Sequence, residues 1–118
     1  MARSLAFCAT LFGALLSTSF AAPETGADAE KLQASTQRGV EFLKSAQAAD
    51  GSWTSPAAPG ISGLVTYSLL ESGASVDDPV VKKALAHLES FVQKDGGIYH
   101  PETNHKNYET SIILLALN

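Results

Sequence analysis

The sixteen residues RGVEFLKSAQAADGSW, positions 38–53, decide how this chain is read. They join the end of an amphipathic helix to an Asp-Gly turn and a tryptophan. Leu32, Thr36, Val40, Leu43 and Gln47 recur at helical spacing, with Gly39 and Phe42 beside them. This pattern predicts a first helix over 28–47. Gly39 costs about 1 kcal/mol relative to alanine inside a helix, so its presence there implies a closely packed neighbour. Asp50-Gly51 ends the helix, because glycine accepts the positive φ that a C-terminal turn needs.

A second, weaker copy follows 45 residues on. Lys83-Ala84-Leu85-Ala86-His87-Leu88 lies on Arg38 to Leu43, and Asp95-Gly96 lies on Asp50-Gly51. Val92 takes the place of Gln47. Ile98 takes that of Trp53, unless a slip of one residue brings Tyr99 there. After each turn comes another apolar helical pattern, with Leu64, Val65, Ser68 and Leu69 matching Ile112, Ile113, Ala116 and Leu117 at an offset of 48. Self-similarity at a period of roughly 20–50 residues signals a repeat architecture.

The spacing of Arg38, Gly39, Phe42, Leu43, Gln47, Gly51 and Trp53 resembles the QW repeat of squalene/hopene cyclases and their prenyltransferase-like relatives. The resemblance covers residues 36–118 and implies an all-α fold, a partial αα-toroid made of two QW-type helical hairpins. In that family an outer ring of helices surrounds an inner ring. The resemblance further implies that the Gln47 amide satisfies a neighbouring helix end while the Trp53 indole packs over it, tying one repeat to the next. In the family these positions are structural, not catalytic.

The remaining elements follow from local signals. Pro56, Pro59 and Gly60 punctuate a loop over 54–60. A second helix is predicted over 61–72, stopping at Gly73, with Ile61, Leu64, Val65, Ser68 and Leu69 as its apolar face. Asp78 is a good N-cap and Pro79 suits the first position of a third helix. Its stripe of Val81, Ala84, Leu85, Leu88, Phe91 and Val92 runs to a stop at Asp95-Gly96-Gly97. A loop over 98–106 leads to a fourth helix from Asn107. The second helix of each pair is the more apolar, as burial in an inner ring demands.

The N-terminus reads as a signal peptide over residues 1–21. Arg3 supplies the charged segment, Leu5 to Leu16 the apolar one, and Ser19-Phe20-Ala21 the cleavage site. The apolar run falls short of the roughly 20 residues of a membrane span, so no stable span is expected after cleavage. The expected location is secreted, periplasmic or cell envelope. Residues 22–30 form a polar linker, and 31–118 the incomplete toroid repeats. Cleavage removes Cys8, the one cysteine, and with it any disulfide or thiol chemistry. The net charge of −4 is spread along the chain with no basic cluster, which disfavours nucleic acid. The apolar pattern Ser111 to Leu117 meets no Gly, Pro or basic last turn. The expectation is a truncated ring or part of a longer one. Its partners would be further repeats, or an isoprenoid or other apolar ligand.

No catalytic residue, metal ligand or cofactor site emerges. Asp77-Asp78 lacks the first acid of the Asp-x-Asp-Asp motif by which cyclases protonate substrate, and reads as a helix cap. Zinc prenyltransferases use Asp, Cys and His, and the mature chain has no Cys. His100 and His105, with Glu102 and Glu109, fit no familiar metal spacing and read as loop residues. His87 stands at the Phe42 position as an aromatic packing residue. Trp53, Tyr99 and Tyr108 are too dispersed to define a cavity for carbocations. Two functions remain: an exported QW-type repeat protein with a structural or apolar-ligand-binding role, or the N-terminal part of a terpenoid cyclase acting on an isoprenoid with its catalytic residues downstream.

Overall fold

The computed structural model describes residues 28–118. The expected signal peptide, and all of the linker but 28–30, lie outside them. Among the described residues the chain is all-helical: α1 is Ala29–Ser45, α2 Pro59–Glu71, α3 Pro79–Glu89 and α4 Lys106–Leu117. One isolated antiparallel bridge joins Val92 and Ile98. Asp28 caps α1 by accepting from the Glu30 N–H, and Asp78 caps α3 by accepting from the Val80 N–H, with Pro79 next in line. Each cap satisfies a donor that the first helical turn leaves orphaned.

The element α2 is the centre of the fold. It packs most extensively on α4, then on α3, and only lightly on α1. Two apolar clusters result. Trp53, Leu69, Val81 and Ala84 form one, with Val40, Leu43 and Leu85 at its edge. Leu88, Ile98, Ile113 and Ala116 form the other, joined by Tyr67 and Phe91.

The face of α2 that is buried differs from the one predicted. Pro59, Gly60, Ser62, Gly63, Thr66 and Leu69 are buried, while Ile61 and Leu64 are exposed. Small residues win because they let α4 come close. A Cβ on Gly63 would stand 3.2 Å from the Ile113 Cα and 2.9 Å from its Cγ1. One on Gly60 would stand 3.3 Å from the Glu109 Cγ. The buried hydroxyls cost little because both are bonded: Ser62 Oγ accepts from the Trp53 N–H, and Thr66 Oγ1 donates to the Ser62 carbonyl. The helix also starts earlier than expected, at Pro59, whose fixed φ suits a first helical position.

Three further expectations are corrected. No residue of α1 is buried, and Leu32 and Phe42 are largely exposed, so the predicted apolar stripe is engaged only at Val40 and Leu43. Gly39 has no atom within 4 Å of where a Cβ would stand, so close packing does not explain it among the described residues. Finally, α3 stops at Glu89. Ser90, Phe91 and Val92 each donate to a carbonyl three residues back, a tighter winding that takes Val92 off the helix and into the bridge.

Replacing Gly63 by leucine overfills the α2–α4 contact and is expected to cost about 1–3 kcal/mol. Urea titration of the helical circular-dichroism signal would show a lowered midpoint; an unchanged midpoint would contradict the close approach.

Candidate functional site

The motif residues gather at the joint between α1 and α3. The last turn of α1 leaves carbonyls without helical partners. The indole Nε1–H of Trp53 donates to one of them, Leu43 O, at 2.8 Å, while the ring is 4 % exposed. The Gln47 amide donates to Val80 O in the first turn of α3 at 2.9 Å and to Gly51 O at 3.2 Å. Lys44, in the last turn of α1, pairs with the Asp78 carboxylate that caps α3. Gly51 has φ +90°, and a Cβ there would stand 2.4 Å from the Lys83 carbonyl oxygen. Contrary to expectation this turn does not end α1, which stops at Ser45 with Ala46 as its cap; it follows the helix and is pressed against the backbone of α3. Arg38, Gly39 and Phe42 take no part in this joint and stay exposed.

The bonds of this turn recur at the second Asp-Gly. Ala48 N–H donates to Ser52 O, and Gln93 N–H to Gly97 O. Gly51 N–H donates to Ala48 O, and Gly96 N–H to Gln93 O. The carboxylate of Asp50 accepts from the Ser52 N–H, and that of Asp95 from the Gly97 N–H. Each pair is 45 residues apart. Trp53 N–H donates to Ser62 Oγ on α2, and Ile98 N–H to Thr110 Oγ1 on α4. That correspondence puts Ile98, not Tyr99, in the place of Trp53. Tyr99 turns back instead, its hydroxyl donating to Asp95 at 2.6 Å.

The second turn also uses a residue that the alignment passed over. Gln93, one position beyond Val92, donates its amide to Phe91 O and Tyr99 O. It closes its own turn, whereas Gln47 reaches across to the next helix. A glutamine one residue out of register was the available signal. Ser62 and Thr110 were likewise visible only as small polar residues in apolar helices.

The acidic residues and histidines are occupied by structure. Asp77 pairs with Lys82 at 2.8 Å on the surface. Glu109 is buried, yet its carboxylate accepts from the His100 N–H and from the Thr103 hydroxyl, both at 2.8 Å, so it ties down the 98–105 loop. His100 Nδ1 accepts from the Glu102 N–H, and His105 stays exposed. Among the described residues no group of three or more His, Cys, Asp or Glu is placed to hold a metal ion. His87 packs edge-on against Phe91, ring centroids 5.2 Å apart, with its Nε2 buried and unbonded. Lys106 lies 4.7 Å over the Tyr99 ring. Tyr108, also considered for a cavity, is exposed.

No family model, no curated protein and no solved structure matches this chain.

Three aspartates are held below the ordinary value of 3.8. Asp50 is bonded by the Ser52 hydroxyl and N–H, Asp78 by Lys44 and the Val80 N–H, and Asp95 by the Tyr99 hydroxyl and the Gly97 N–H. The same bond to Asp95 raises Tyr99 above 10.0. A lowered carboxylate contributes stability that is present above 3.8 and lost as pH falls through its folded value. A raised tyrosine contributes stability present below 10.0 and lost as pH rises through its folded value. Melting temperature should thus be flat across the middle range and drop at both ends. Asp95→Asn should shallow both drops at once, and a melting curve whose alkaline limb ignored this change would refute the pairing.

Gly51 and Gly96 provide an internal control. Both have positive φ, +90° and +85°, but a Cβ on Gly96 would meet nothing within 4 Å among the described residues. Alanine at either position incurs backbone strain of order 1 kcal/mol. Only Gly51→Ala adds a clash with backbone, so its urea midpoint should fall well below that of Gly96→Ala.

Proposed function

We propose that this chain is a non-catalytic, exported scaffold of two QW-type αα-hairpins, part of an αα-toroid, with an apolar face on its inner helices for an isoprenoid-like ligand. The observation that carries this reading is where the polar chemistry goes. Gln47, Asp50, Trp53, Asp78, Asp95 and Glu109 spend their hydrogen bonds on turns, caps and helix ends. Among what the inner helices leave open are large apolar residues. Leu64 on α2 is 45 % exposed, and Ile112, its counterpart 48 residues on, is half-buried.

The resemblance at 38–53 and the recurrence of the turn bonds at an offset of 45 support a repeated unit. The pattern of contact, with α2 packed chiefly on α4 and α3, supports an inner pair flanked by an outer layer. Export rests on the signal-like residues 1–21. A cyclase needs a proton donor, and both candidate acids are spent: Asp77 is a surface partner of Lys82, and Asp78 caps α3.

Farnesol serves as the test ligand. Titration followed by amide chemical shifts should perturb 61–68 and 112–115, with Leu64→Ser weakening the effect several-fold and farnesol recovered unchanged. Shifts elsewhere, or none, would remove the ligand role. Conversion of farnesol to a cyclic product would restore the enzyme reading.

A further inference from the structure

The α2–α4 contact is made by two different faces. The α2 face is Gly60, Gly63 and Tyr67; the α4 face is Glu109, Ile113 and Ala116. Read at the offset of 48, each helix also carries a second, less covered face. On α4, the positions equivalent to Gly63 and Tyr67 are Ser111 and Leu115, with Leu114 beside them, while Tyr108, equivalent to Gly60, also reaches α2, its Cε1 3.4 Å from where a Gly60 Cβ would stand. All four are exposed, Leu114 by 52 % and Tyr108 by 56 %. On α2, the positions equivalent to Glu109, Ile113 and Ala116 are Ile61, Val65 and Ser68; Ile61 is 43 % exposed, while Val65 is half-buried against the Trp53 cluster and Ser68 is half-buried.

The outer layer has the same unmatched halves. Gly51 is pressed against the carbonyl of Lys83, whereas Gly96, its counterpart, meets nothing within 4 Å among the described residues. The counterpart of Lys83 is Arg38, which lies exposed on α1. One side of the molecule, α4 with the second Asp-Gly turn, thus presents what α2 and the first turn present to the second hairpin. The counterparts that would receive it, Arg38 on α1 and Ile61 on α2, are both exposed.

We propose that a second copy of this chain docks here head to tail, its α1–α2 side receiving the α4 side of the first. The contact continues the α2–α4 interface across a chain boundary. Across it, Leu115 on α4 stands in the place of Tyr67, and the buried Glu109 is replaced by the apolar Ile61. Because the two faces differ, the contact is heterologous and propagates into a ring or an open array instead of stopping at a symmetric dimer.

The proposal rests on the two-unit reading but not on the ligand, so the farnesol titration stands apart from it. The test is sedimentation of the full chain over a concentration series, with Ile61→Asp and Leu114→Asp. Both positions are surface-exposed, and circular dichroism checks that each variant keeps its helices. The wild-type chain is expected to associate with rising concentration, and each variant alone to remain at monomer mass. Mixed, the two variants should form a 1:1 dimer that grows no further, since Ile61→Asp keeps an intact α4 face and Leu114→Asp an intact α2 face. A wild-type chain monomeric throughout, a mixture of helical variants that stays monomeric, or an Ile61→Asp chain that still self-associates would each overturn the proposal.

Discussion

The carbonyl oxygen of Lys83 occupies the space in which any side chain on residue 51 would have to lie. That contact sets the distance between the turn following α1 and the third helix, and the neighbouring bonds depend on it. With the turn held at that distance, the Gln47 amide reaches Val80 O, and Lys44 reaches the cap of α3. The indole of Trp53 then lies under α1, closing its last turn from outside the helix. These are modest interactions taken singly, about 1 kcal/mol each for neutral hydrogen bonds. Acting at one joint, they fix α1 on a fold with which it shares few other contacts.

Two kinds of packing meet in this molecule. Around Trp53 the chain uses a large side chain to fill the space between elements. Between α2 and α4 it removes side chains so that the helices touch nearly backbone to side chain. Close approach at Gly60 and Gly63 increases dispersion contact where little apolar area is available to bury. It also explains how helices with Ser62, Thr66, Glu109 and Thr110 on their covered sides pack without cost: each of those polar groups is bonded within its own helix or to the adjacent loop.

Helix positions were legible in the sequence, as was the start of α3, because Asp78-Pro79 is a local signal; Asp50-Gly51 does not end α1, which stops at Ser45 with Ala46 as its cap, and forms a separate turn beyond it. The register of the second turn was legible too, and the hydrogen bonds of Ile98 and Gly97 follow it. Burial was not. Hydrophobic periodicity ranks large apolar residues as core, but α2 buries glycine, serine and threonine and leaves Ile61 and Leu64 out. The rule fails when the neighbour is another helix at close range and the fold has apolar faces left over. The same excess misled the reading of α1, where Leu32 and Phe42 carry a core pattern with no core to meet. Gln93 was hidden for a different reason, since a side chain that reaches backbone carbonyls is free to move one position in the sequence.

Trp53 is the only tryptophan of the chain. It sits at the joint of α1 with α3, away from the α2–α4 contact, with its indole N–H held by the last turn of α1. The protein therefore contains its own optical reporter, placed at its least-packed helix. A red shift in its emission marks the opening of the cluster it forms with Leu69, Val81 and Ala84, the undocking of α1 included.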